Sequence, residues 1–274
     1  MFIETYLDSL PEDTEEIDVS NKGLTYLPDL SRFKNLKTLI CANNKLTSLP
    51  KLNNIKLLIC HKNQLTSLPP LEKLEILSCS YNRLTSLPEL NTNLLELFCH
   101  NNELTSLPML NNLEKLYCCW NQLTSLPPLK NLQILHCNYN ELTSLSPPLN
   151  NLKTLYCLHN KLTQLPPLNN LDKLYCCDNQ LTYLHLNEEL EELTCENNPI
   201  YEIINTNDIQ IITQKLRVLN QFRYLYYSLK YKKRFRDWLW VKIREPKIRE
   251  RYSHNYLVAN LHEETDLDDL LENW

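Results

Sequence analysis

The chain has 274 residues, a formal charge of −5 and a single glycine, Gly23, where ordinary usage would give roughly 19. One glycine cannot supply G-x-G-x-x-G, the P-loop G-x-x-x-x-G-K-[ST] or the G-x-S-x-G elbow, which excludes those nucleotide-binding enzymes and the α/β hydrolases. The 59 Leu and 33 Asn, set against two Ala, point to a repeat.

The first residues, Met1-Phe2-Ile3-Glu4-Thr5-Tyr6-Leu7-Asp8, lack the basic and apolar regions of a signal peptide. No run approaches 18 apolar residues, so no membrane span is expected and the reading is a soluble, cytoplasmic monomer. Its 11 Cys are then expected as free thiols. Residues 1–13 form an N-terminal cap in this reading, with Leu7 and Leu10 covering the exposed edge of the first repeat unit.

Residues 14–198 carry a period of 19 to 20. Asparagines recur at Asn44, Asn63, Asn82, Asn102, Asn121, Asn140, Asn160, Asn179 and Asn198, each three residues after a cysteine, from Cys41 to Cys195. The unit reads L-x-x-L-x-C-x-x-N-x-L-T-S-L-P, as in Leu36 to Pro50. A degenerate first unit starts near Thr14, with Ile17, Val19, Leu24 and Leu27 in register and Lys22 in place of the Asn. L-x-C alternates apolar and polar, the pattern of a strand with one buried face. A single unit cannot bury its own leucines, so ten units stack as parallel strands about 4.8 Å apart. The recurring Asn is expected to satisfy backbone groups of adjacent turns. The Pro-rich L-T-S-L-P run predicts an extended or PPII-like convex side.

This unit resembles the short leucine-rich repeat, and the resemblance covers about two-thirds of the chain. It implies a right-handed leucine-rich repeat solenoid with a parallel sheet and about ten units of 19 to 22 residues. The N-x-L-T-S-L-P run is similar to the LPxLP repeats of bacterial effectors. The cysteine variant, the Asn-rich composition and the tail are similar to proteins of giant DNA viruses of the mimivirus kind. In the tail the likeness rests on Lys247-Ile248-Arg249-Glu250-Arg251-Tyr252-Ser253-His254-Asn255-Tyr256-Leu257 and Asp266-Leu267-Asp268-Asp269-Leu270-Leu271. It implies a viral protein meeting a host factor in host cytoplasm. Some bacterial effectors append a ubiquitin ligase with a catalytic cysteine. Here the last cysteine is Cys195, so 196–274 lacks that nucleophile and the ligase reading is disfavoured.

After Asn198 the pattern breaks at Pro199, and 199–274 is expected to be a helical C-terminal cap. Ile209, Ile212, Leu216 and Leu219 mark one helical stripe, which Phe222, Leu225, Tyr226 and Leu229 continue with a shift. A further helix is expected over Phe235 to Arg244, ending before Pro246. A last one starts at a capping box of Thr265 and Asp268, with Leu267, Leu270, Leu271 and Trp274 on one face.

Several constellations could carry chemistry. The inward cysteine column reads as core packing, since metal-binding thiolates need a charged, accessible site. Cys119 and Cys177 fall one place later and are expected to point outward. Around them the exposed strand columns turn aromatic and His-rich, through Tyr81, Phe98, His100, Tyr117, Trp120, His136, Tyr139, Tyr156, His159 and Tyr175. These ten residues are the candidate site for a protein or peptide partner on the concave face. The competing account is rings that stack on one another and stiffen the sheet. His100, Cys119 and His136 make neither a supported triad nor a four-ligand metal site. No catalytic residue, metal or cofactor is therefore expected. Residues 215–251 hold 13 basic residues against three acids, interleaved with aromatics, which supports nucleic-acid binding as the alternative. The six acids from His262 onward argue that this segment is instead neutralised internally.

Overall fold

The computed structural model describes residues 3–90, 93–145, 149–187, 190–206, 208–239 and 241. Helix α1 (Ile3–Asp8) precedes ten three-residue strands. These are β1 (Glu16–Asp18), β2 (Thr38–Ile40), β3 (Leu57–Ile59), β4 (Ile76–Ser78), β5 (Glu96–Phe98), β6 (Lys115–Tyr117), β7 (Ile134–His136), β8 (Thr154–Tyr156), β9 (Lys173–Tyr175) and β10 (Glu192–Thr194). They form one parallel sheet in chain order, so the ten expected units are all present. Among the described residues no helix separates consecutive strands, in keeping with the Pro-rich connections.

The middle residue of every strand is buried, and Leu39, Leu58, Leu77, Leu97, Leu116, Leu135 and Leu155 have no exposed surface. The cysteine two places on is buried as well in β2 to β10. Each unit thus covers the leucines of its neighbours, which a single unit could not do. The asparagine column ties the units together. Asn121 Nδ2 donates to the carbonyls of Cys118 (3.1 Å) and of Cys99 one unit earlier (3.0 Å). Its Oδ1 accepts the N–H of Leu104 at 3.0 Å. The same set recurs from Asn63 to Asn198. In the degenerate unit Asn44 Oδ1 accepts from both Lys22 (3.1 Å) and Leu24 (2.9 Å), so the missing first Asn is bridged from the next unit.

At the N-terminal end Ile3 and Leu7 of α1 are buried, while Leu10 is half-buried. Arg32 donates to the carbonyls of Leu7 and Leu10. At the other end α2 (Pro199–Ile204) buries Ile200 and Ile204 and closes at Asn205 in the left-handed region. Asn198 occupies the N-cap position but makes no side-chain cap bond. Its amide is already spent on Cys195, Cys176 and Leu181, so the repeat's hydrogen bonds win over helix capping.

Helix α3 (Ile209–Leu239) starts from Asp208, whose carboxylate accepts the N–H groups of Gln210 and Ile211. Ile212 and Leu216 are buried. The shifted stripes and the helix expected from Phe235 are one helix through Leu239, because no Pro or Gly interrupts 209–239. The boundary between the two compact units, Met1–Leu216 and Arg217–Trp274, falls within this helix. The end of the expected helix at Arg244 and the Thr265 capping box lie outside the described residues.

Candidate functional site

The outward side of the sheet is built from the first and third residues of each strand, which are half-buried throughout β2 to β10. In-register parallel pairing sets each third residue beside the next: Phe98 against Tyr117, Tyr117 against His136, His136 against Tyr156, Tyr156 against Tyr175. Their rings form one continuous row, stacked at both ends and tilted at His136, by 58° to Tyr117 and 42° to Tyr156. Centroids are 4.7 Å apart for Phe98–Tyr117, 4.6 Å for Tyr117–His136, 4.2 Å for His136–Tyr156 and 4.2 Å for Tyr156–Tyr175. The two outer pairs lie within 10° of parallel. In those two pairs the rings spend their faces on one another and offer edges and phenol groups outward.

A second column runs just before the ladder asparagines. Trp120 stacks on Tyr139 at 3.8 Å and Tyr139 on His159 at 4.3 Å, while Tyr81 meets His100 edge-on at 5.2 Å. Trp120 is 53% exposed and Tyr81 48%. Every residue in this column is left-handed, including Lys62 (φ 54°), Tyr81 (55°), Trp120 (56°), Tyr139 (54°) and His159 (51°). Asn43, Asn101 and Asn197 sit in the same conformation, which their short amides tolerate; bulky rings do not. This turn lets the chain leave each strand without glycine, and Gly23 (φ 68°) is the one glycine in the same region. Nothing in the strand periodicity signals it.

All ten candidate residues thus lie on the outward side of the sheet or at its adjoining turn. The column between them behaves differently from expectation. Ser80 is 2% exposed, with Oγ 2.9 Å from His100 Nδ1, and His61 Nδ1 lies 3.3 Å from Ser78 Oγ. Cys119 is half-buried, and Cys177 is only 7% exposed, with Sγ 4.0 Å from Glu196 Oε2. Neighbouring side chains cover Ser80 and Cys177, while His61, His100, Cys119, Asn138 and Leu158 of the same column stay half-buried, so Cys177 is covered rather than presented.

Charge is arranged around the strand rings rather than among them, whereas the second column holds Lys62 and Asp178, the latter 3.4 Å from His159 Nε2. The third column carries no Asp, Glu, Lys or Arg from Ile40 to Thr194. Beside it Lys115 binds Glu96 at 2.8 Å and Lys173 binds Glu192 at 2.5 Å. Tyr175 Oη also donates to Glu192. Those bonds hold the Glu192 carboxyl below its ordinary range and push the Tyr175 phenol up. Burial lowers His61, His100 and His136 below the usual imidazole value, with Lys62 adding to the effect at His61. Lys45, Lys62 and Arg83 are exposed and without an ion pair among the described residues, as are Lys22, Lys34, Lys51, Lys73 and Lys130. Lys62 Nζ lies 5.9 Å over the Tyr81 ring.

Burial pushes the inward thiols up, to about 12 at Cys41, Cys79 and Cys195, and well above the ordinary value at Cys60, Cys99, Cys118, Cys137, Cys157 and Cys176. They are core, as their spacing implies. Among the described residues no group of three His, Cys, Asp or Glu side chains is placed to hold a metal ion. An open depression of about 460 Å³ lined by Glu75, Asn93, Leu95, Asn112, Glu114 and Asn131 shares no residue with the rings. Among the described residues no helix is long and apolar enough to cross a membrane.

Comparison with known proteins agrees with this architecture. Residues 130–170 match the family Leucine Rich repeats (2 copies). YopM of Yersinia enterocolitica WA-314 is similar at 31% identity and a TM-score of 0.61, over 70% of this chain and 48% of that one. YopM of Yersinia pestis, a leucine-rich effector protein, is similar at 27% identity and a TM-score of 0.54, over 67% of this chain and 66% of that one. The chain therefore spans from about half to just under two thirds of their lengths. The LRIM1/APL1C complex shares the fold at 18% identity and a TM-score of 0.63, over 98% of this chain and 68% of that one. No curated protein sequence matches. The chain is a leucine-rich repeat solenoid with a C-terminal helix.

Proposed function

We propose that this leucine-rich repeat solenoid is a non-enzymatic scaffold that binds a protein or peptide on its aromatic sheet face. One observation carries the reading. Trp120, Tyr139 and Tyr81 are held exposed in a left-handed backbone that costs about 1–3 kcal/mol per residue. Stability alone favours Asn there, as at Asn43, Asn101 and Asn197. The repeat sets this turn in every unit, so it is the choice of Trp and Tyr over Asn there that packing does not require, and Trp and Tyr are typical of binding hot spots. The partner is read as a host factor met in the cytoplasm of an infected cell, on the tail's likeness to giant-virus proteins. Tyr117→Ala with Tyr156→Ala opens the stack without touching the leucine core. Partners co-purified from infected cells should be lost with that double variant, and unchanged recovery refutes this face.

A second reading is favoured by α3. Phe222, Tyr224 and Tyr226 are exposed on a helix that also carries Lys215, Arg217, Arg223 and Lys230, and Lys230 Nζ lies 5.7 Å over Tyr226. Rings and cations together suit single-stranded nucleic acid. Binding by this helix should weaken by about two orders of magnitude or more between 50 and 200 mM salt. Absence of binding at low salt removes it.

A further inference from the structure

The ring stack ends at a gap. Going back from Tyr175 through Tyr156, His136 and Tyr117 to Phe98, each strand contributes a ring, but the next strand contributes Ser78. Beyond it stands Ile59. Phe98 is stacked on Tyr117, and among the described residues no ring covers its other face. Ile59 and Phe98 are two strand spacings apart, about 9.5 Å, which leaves room for one ring at ordinary stacking separation. Ser78 is half-buried, so this floor is partly open to solvent. Ile76 bounds the slot on one side, and His61, bonded to Ser78 Oγ, on the other.

We infer that this slot accepts an aromatic side chain of a protein partner, flanked in the partner by carboxylates. The ring follows from the gap: it would lie between Phe98 and Ile59 and extend the stack by one step. The carboxylates follow from charge. Lys45, Lys62 and Arg83, from Ser78's own unit and the two before it, are exposed without ion pairs among the described residues, whereas Lys56, Lys115 and Lys173 are neutralised by Glu75, Glu96 and Glu192. A protein fits better than a polynucleotide, because successive bases need successive platforms. Here the positions from β5 to β9 are already filled by the protein's own rings. The inference rests on the reading of the sheet as a partner face and names where its anchor enters.

The full-length protein is titrated with the peptide acetyl-Asp-Glu-Tyr-Glu-Asp-amide while the Ile59 methyl resonances are followed. The inference expects a saturable upfield shift from the ring seated against Ile59. Ser78→Phe should fill the slot from within and weaken the peptide at least about tenfold, and Lys62→Glu with Arg83→Glu should weaken it several-fold. If Ser78→Phe fails to fold, Phe98→Leu, which removes the stacking wall, carries the same expectation. No saturable shift, equal binding by Ser78→Phe, equal binding by a peptide with cyclohexylalanine for tyrosine, or tighter binding by adenosine monophosphate each overturns it. A partner lost with Tyr117→Ala/Tyr156→Ala yet retained by folded Ser78→Phe removes the slot and leaves the face standing.

Discussion

Trp120 and Tyr139, one repeat apart, lie with ring centroids 3.8 Å apart and planes 12° from parallel, and both backbones are left-handed. The pairing and the strain oppose each other. A ring pair contributes about 0.5–1.5 kcal/mol, and each left-handed ring-bearing residue costs about 1–3 kcal/mol. Two strained residues outweigh their stacking. Trp120→Asn with Tyr139→Asn should raise the urea midpoint, by about 1 kcal/mol in stability, while abolishing partner capture. A lowered midpoint would show that the column is there for stiffness.

The asparagine column should dominate the energetics of the turns. Asn140 is 9% exposed and bonds Cys137 O, Cys118 O and Leu123 N at 3.0–3.1 Å. Asn140→Ala leaves those backbone groups unpaired in the interior, a loss on the order of 3 kcal/mol. Exposed Asn131, which reaches only Asn111 O and Asn112, should lose less than about 0.5 kcal/mol as alanine. Equal losses in chemical denaturation would contradict this assignment.

Thiol chemistry offers a direct view of packing. The inward cysteines are protonated and inaccessible, and Cys119 alone is half-buried. Ellman's reagent should modify Cys119 first under native conditions and all 11 thiols only in guanidinium. Rapid modification of several thiols in the native protein would mean that the leucine–cysteine core opens readily.

Acid should loosen the face before it reaches the carboxylates. His61, His100 and His136 have folded values below the ordinary 6.5, so below that pH the unfolded chain binds more protons. Their stability contribution is complete above about 6.5 and falls as pH drops toward the folded values. Glu192, Asp18 and Asp29, all lowered, add their own loss only below the ordinary carboxylate range. The urea midpoint should therefore decline between about pH 7 and 5.5, and less so in His136→Phe. A flat midpoint across that interval would rule the histidines out.

The sheet and both ring columns were legible in the residues because a period of 19 to 20 is itself a spatial instruction. Stacking one unit per strand spacing turns a sequence column into a row of neighbours, so Phe98, Tyr117 and His136 could be grouped before any distance was known. Tertiary structure decided what each column does. Left-handed backbone at Tyr81 and Trp120 comes from how the turn closes beneath the asparagines, and coverage of Cys177 and Ser80 from side chains a full repeat away. Fusion of the C-terminal stripes into α3 shows the same limit, since a shifted stripe does not break a helix that lacks Pro and Gly. Even the gap at Ser78 is unremarkable as a serine in a strand. It becomes a slot only because in-register pairing puts Phe98 on one side of it and Ile59 on the other.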